Sequence, residues 1–205
     1  MIRDLDETIA AFLSGEARPG SLLATARIDF APPSLEWRTR LQPGLTLNCF
    51  LYDTRENRDL RRPDTIVTYN ADRTRAARRR PPARIDCRYC LTAWAVTAEE
   101  LNPVLSEHRL LSDTLRVLLS RRSIPDRYWV GSVADQLPPF PVLEAEPDAL
   151  KNQPDFWVAF NQQPRPSLTY TATLAMSLDD SEPDGHIVGP DEDDVSIDVD
   201  HLRPE

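Results

Sequence analysis

The chain contains a single lysine, Lys151, six glycines, three cysteines and no long uninterrupted apolar run. Each scarcity removes a class of function. A phosphate-binding P-loop needs a Gly-rich backbone followed by Lys, and a dinucleotide fingerprint needs three closely spaced glycines after a strand. Gly15, Gly20, Gly44, Gly131, Gly185 and Gly189 fit neither spacing. Schiff-base chemistry would fall to Lys151, which sits between Pro147 and Pro154 in a segment that reads as surface loop. With no stretch near 18 apolar residues and a mean hydropathy of −0.46, a membrane-spanning helix is not expected. The opening Met1-Ile2-Arg3-Asp4-Leu5-Asp6-Glu7 places acids where a secretory signal carries a basic patch and an apolar stretch, so folding in the cytoplasm is expected. An odd number of cysteines in such a chain argues against a disulfide framework.

What is present is charge, unevenly placed. The net charge of −9 over 205 residues hides a partition, because residues 179–205 hold 11 acids against Arg203 alone. The preceding 178 residues carry 22 acids and 23 bases and are close to neutral. Within them, residues 55–88 contain 11 arginines against five acids. The composition therefore predicts a folded body over residues 1–178 and an acidic, disordered tail over residues 179–205, which holds too little apolar area to order itself.

Periodicity gives the elements of the body. Residues 2–14, IRDLDETIAAFLS, space Ile2, Leu5, Ile9, Phe12 and Leu13 as a helix that stops at Gly15. Residues 24–30 read as a strand. In residues 45–55, Leu45, Leu47, Cys49 and Leu51 share one face while Thr46, Asn48, Phe50 and Tyr52 share the other, the pattern of a central strand covered on both sides. Residues 65–69 are a short β-like run, and residues 85–97, IDCRYCLTAWAVT, form a long strand. Thr97 and Glu100 have capping-box spacing. The principal helix follows from Pro103, with an expected apolar stripe of Val104, Leu105, Leu111, Leu115, Leu118 and Leu119 and an end near Arg121 and Arg122. Residues 128–133, 156–160 and 167–176 are further strand candidates. The sum is an α+β fold, a single mixed or antiparallel sheet packed with two principal helices.

Candidate chemistry is sparse. Cys87 and Cys90 have the spacing of redox and zinc pairs, but residues three apart on a strand point to opposite faces, and there is no second pair for zinc. Ser106, Glu107 and His108 lie in one helix with no nucleophile elbow. The carboxylates Asp191, Glu192, Asp193, Asp194, Asp198 and Asp200 lack the Gly and terminal Glu of a calcium loop. No catalytic residue, cofactor or metal is expected. The run Arg73, Arg75, Arg78, Arg79 and Arg80 suits a contact with a protein partner or another subunit. A nucleic-acid site would spread bases over a structured face with aromatic residues between them, although an Arg-loop nucleic-acid binder inhibited by its own acidic tail is the alternative.

The order of segments carries a resemblance. An N-terminal IRDLDETI helix precedes Pro32-Pro33-Ser34 and Trp37, then LTLNCFLYDTRENRDLR at residues 45–61, a strand ending Leu91-Thr92-Ala93-Trp94, and EHRLLSDTLRVLL at residues 107–119. Over residues 1–178 the chain resembles the N-terminal domain of the cap, or tail-terminator, proteins of extracellular contractile injection systems of the antifeeding-prophage and virulence-cassette type. The resemblance implies a tail-terminator-like fold and a structural role without catalysis. It implies a hexameric ring at the baseplate-distal end of a phage-tail-like particle, closing the inner tube and anchoring the last sheath layer. It also implies sheath and inner-tube proteins as partners, with assembly in the cytoplasm and no membrane contact. Residues 55–84 are then expected to form an arm that touches a neighbouring subunit, the sheath or the tube.

Overall fold

The computed structural model describes residues 1–61, 66–69, 76–96, 102–121, 123–136, 143–145 and 153–178. In chain order the elements are α1 (Ile2–Gly15), β1 (Arg27–Asp29), α2 (Leu35–Thr39), β2 (Gly44–Glu56), β3 (Ile66–Tyr69), β4 (Ala76–Arg79), β5 (Ala83–Val96), α3 (Pro103–Ser120), β6 (Leu143–Ala145), α4 (Gln153–Ala159) and β7 (Leu168–Met176). β1, β2, β5, β7 and β6 lie side by side in that order in one sheet, while β3 and β4 pair only with each other. β1 runs parallel to β2 and the remaining pairs are antiparallel, so the sheet is mixed. β2 is interior, as its two-sided pattern predicts.

Two faces of this sheet do different work. The first carries Leu47, Cys49, Cys87, Tyr89, Leu91, Ala93, Tyr170, Ala172 and Leu174, which pack with Leu5, Ile9, Phe12 and Leu13 of α1 and Leu110, Leu111, Val117 and Leu118 of α3. Each such aliphatic side chain taken out of water contributes about 1.5–3 kcal/mol, which is why α1 and α3 adhere to this face. The second face carries Cys90 and Trp94, packed with Trp157 of α4 and with Trp37 of α2. Ser34 caps α2 by accepting a hydrogen bond from the Trp37 amide at 3.2 Å. Phe50, Phe156 and Phe160 stack edge to face around this layer.

Three expectations need correction. Residues 128–133 form no strand; Asp126–Tyr128 and Gly131–Val133 are single 3₁₀ turns. Pro125 precedes the first of them, and the Asp4 carboxylate accepts the Ser132 amide at 2.9 Å within the second. Residues 156–160 form no strand either, because Pro154 sits in the first turn of α4 and Asn161, at φ 53°, closes it after Ala159. The apolar stripe of α3 is also displaced. The buried residues are Leu110, Leu111, Thr114, Val117 and Leu118, whereas Val104, Leu105 and Leu119 are exposed.

Gly15 ends α1 for a reason other than backbone freedom. A Cβ there would stand 2.4 Å from the Tyr128 ring, so the glycine admits the aromatic side chain that covers Phe12. The capping box at Thr97 and Glu100, and residues 179–205, lie outside the described residues. Among the described residues no helix is long and apolar enough to cross a membrane.

Candidate assembly surface

Cys87 and Cys90 sit on opposite faces of β5, one in each core layer, as strand geometry requires. Burial pushes both thiols up to about 12, and it raises Cys49 as well. All three are free and buried, and a thiol held protonated is neither nucleophile nor ligand. Glu107 is structural. It accepts the Ala95 amide at 3.1 Å and pairs with Arg165 at 3.7 Å, while His108 is exposed. Among the described residues no three His, Cys, Asp or Glu side chains are grouped to hold a metal ion.

The basic insertion is a hairpin. β2 ends at Glu56, β5 begins at Ala83, and between them β3 and β4 pair in register, Ile66 with Arg79 and Val67 with Arg78. Arg78 and Arg79 therefore belong to β4, and Arg80 follows it, exposed. Arg73 and Arg75 lie outside the described residues. The base of the insertion is fastened within the body. The Asn57 amide donates to the Arg84 carbonyl at 2.7 Å, and its side-chain nitrogen donates to both Asp86 oxygens at 3.2 and 3.0 Å. Thr173 donates to the same carboxylate at 2.7 Å.

Sequence reasoning missed Arg165, an isolated Arg between two prolines. Its guanidinium lies 3.5 Å from the Trp94 ring centroid, donates to the Ala93 carbonyl at 2.9 Å and pairs with Glu107 of α3. Burial lowers its pKa from the free guanidinium value, with Glu107 opposing that shift. One side chain thus joins the aromatic layer, the end of β5 and the start of α3. Flanking prolines that extend the chain are the only local signal.

The outer face of α3 is the other unanticipated feature. Val104, Leu105 and Leu119 are 49%, 64% and 67% exposed, and Leu115 is half-buried. At 100° per residue these four fall within about a third of the helix circumference. Arg109 and Arg116, both exposed, border them on one side. Arg116 also lines a cleft of about 380 Å³ with Glu16, Arg18, Ser21, Asp113, Val117, Ser120 and Arg121. The acids there are engaged, since Glu16 pairs with Arg121 and Arg127, and Asp113 accepts the Leu22 amide at 2.9 Å. Exposed His108 and Ser112 lie on the same arc, between Leu105 and Leu115.

The profile of the Pvc16 N-terminal domain matches residues 4–188. The chain belongs to this family. The match passes Leu178 and ends within the acidic segment. Two solved structures share the fold. One is described as the sheath/tube terminator, in the extended state, of the extracellular contractile injection system PVC; it is 22% identical, with a TM-score of 0.61 over 89% of this chain and 58% of that one. The other is the tube-terminating cap of the anti-feeding prophage, 20% identical, with a TM-score of 0.58 over 93% of this chain and 58% of that one. The chain thus spans a little under three fifths of each relative's length. No curated protein sequence matches it. The family and the tail-terminator fold implied by the sequence resemblance are both borne out.

Proposed function

We propose that this member of the Pvc16 N-terminal domain family is a structural, non-catalytic cap of a contractile injection particle. Copies form a hexameric ring at the baseplate-distal end, close the inner tube and hold the last sheath layer. The observation that carries this reading is the family match over residues 4–188, joined to a shared fold with a sheath/tube terminator and a tube-terminating cap. Neither comparison supports the nucleic-acid alternative. A closed ring needs two different complementary patches on each subunit, and a basic hairpin, an apolar helix face and an acidic segment supply the means. Within this reading the hairpin, with Arg73, Arg75, Arg78, Arg79 and Arg80, contacts a neighbouring subunit, the sheath or the tube.

The test is electron microscopy of particles made with and without this chain. Without it, tubes of uncontrolled length or sheaths loosened at the distal end are expected; particles of normal length and closure would refute the reading. Removal of residues 73–80 should leave a folded protein that caps poorly, and normally capped particles would dismiss the hairpin contact.

A further inference from the structure

The outer face of α3 combines two chemistries. Val104 with Leu105 and Leu115 with Leu119 offer two apolar pairs toward the ends of a helix about 27 Å long, with exposed His108 and Ser112 on the same arc between them. Arg109 and Arg116 run beside it and lead into the cleft that also holds Arg18 and Arg121. Among the described residues the guanidinium groups of Arg18, Arg109 and Arg116 pair with no carboxylate. The natural occupant of such a face is an extended segment that is apolar on one side and acidic on the other.

The chain itself contains one. Residues 191–202 read Asp-Glu-Asp-Asp-Val-Ser-Ile-Asp-Val-Asp-His-Leu. Val195, Ile197 and Val199 alternate with Ser196, Asp198 and Asp200, so an extended backbone would put the three apolar side chains on one side. Four consecutive acids, Asp191 to Asp194, precede them. The segment lies beyond the residues matched by the family profile. Twelve residues, 179–190, separate Leu178 from Asp191, thirteen steps of the chain. At about 3.4 Å per residue these steps reach as far as ~45 Å, well beyond the length of α3 itself.

We propose that the outer face of α3 receives residues 191–202 of a second copy of this chain. The inference rests on the ring reading above and names one of its joints. A head-to-tail contact requires that each copy present both a receptor and a ligand, different from one another and complementary. The apolar pairs at the two ends of the face seat Val195, Ile197 and Val199, His108 and Ser112 lie beneath the polar positions between them, and the arginine border meets the acids. The contact is therefore both apolar and salt-sensitive.

Complementation between two full-length variants tests it. The receptor variant carries Leu105→Asp and Leu119→Asp, and the ligand variant carries Val195→Asp, Ile197→Asp and Val199→Asp. Masses in solution are read by mass photometry across protein and salt concentrations. The wild-type chain should form oligomers that weaken as NaCl is raised. Each variant alone should be monomeric, with association weakened about tenfold for each leucine lost. An equimolar mixture should recover a dimer and nothing larger, because one working joint remains. Since the altered leucines are largely exposed, both variants should keep the wild-type melting temperature; a receptor variant that melts lower is replaced by Leu105→Ser with Leu119→Ser.

A wild-type chain that is monomeric at every concentration overturns the proposal. So do variants that oligomerise as the wild type does, in which case other surfaces form the oligomer. A mixture that stays monomeric also overturns it, because the segment then folds onto its own copy or the face receives the tube or the sheath. Capping assays separate the two readings. Variants that lose the joint's salt-sensitive association yet cap particles normally would refute this joint while leaving the capping role standing.

Discussion

Replacing Arg165 with Met should destabilise the protein more than any surface arginine substitution. Methionine keeps most of the apolar stem, so the loss is electrostatic. The charge-assisted hydrogen bond to the Ala93 carbonyl is worth about 1.5–3 kcal/mol. The guanidinium at 3.5 Å from the Trp94 centroid, in a side chain only 19% exposed, adds about 1 kcal/mol or slightly more. The ion pair to Glu107, at 3.7 Å, adds little. The expected cost is about 3 kcal/mol, which lowers the melting temperature of a chain this size by about 6–12 °C. Urea unfolding followed by tryptophan fluorescence is the assay, since Trp94 reports on the contact directly. Lysine at 165 should recover only part of the loss, because an ammonium cannot stack flat on the indole and reach the carbonyl together. A Met variant within about 0.5 kcal/mol of wild type, or a Lys variant equal to it, would refute the assignment of Arg165 as the tie between the two core layers.

Burial raises the pKa of Asp6 although its carboxylate accepts the Tyr89 hydroxyl at 2.7 Å, so the folded state holds that proton more tightly than the unfolded chain. Its contribution is present at low pH and is lost as pH rises from about 4, the ordinary carboxyl value, through the raised folded pKa. Asp6→Asn should gain stability relative to wild type between pH 3.5 and 7, and urea midpoints that move the other way would contradict this. Asp4 is the opposite case. Its bonds from the Ser132 hydroxyl and amide hold it at about 2, so its contribution is present above the ordinary carboxyl value and disappears as pH falls through about 2. Gly131→Ala forces a side chain into φ 53° and sets a Cβ 2.8 Å from Asp4 Oδ2; it should cost about 1–2 kcal/mol and return Asp4, followed by NMR titration, toward ordinary values. The three thiols should resist an aromatic disulfide reagent in the native state and react together on unfolding; rapid native labelling of any one would refute its burial.

Long, strongly periodic segments announced themselves. The alternation in β2 and β7, the aromatic and β-branched run of β5 and the spacing in α1 each bury enough side chains to dictate their own structure. Residues 156–160 misled because a short aromatic run suits a strand locally, whereas Pro154 and the contact of Trp157 with Trp94 decide in favour of a helix. The run from Leu110 to Leu119 contains enough apolar residues for two stripes, and only packing against β5 selects Leu110, Thr114 and Val117 for the inside. That ambiguity concealed the exposed strip. Arg165 was illegible because its partners Ala93 and Glu107 are dozens of residues away in sequence. The arginine cluster was plain as charge, but the placement of Arg78 and Arg79 on a paired strand follows from their register with Val67 and Ile66, which composition does not encode.

The clamp built on Asn57 has a consequence for how the chain tolerates change. Neighbouring strands close the base of the insertion, with Glu56 opposite Ile85, so its two ends meet across a single ladder rung. Exchanging what lies between them adds only a loop-closure term that grows by about 0.6 kcal/mol for each doubling of length. Residues 58–82 are thus a cassette. A change of length or charge there should leave the five-stranded sheet to fold as before, and an epitope or fluorophore tag grafted there would mark this chain without disturbing its core.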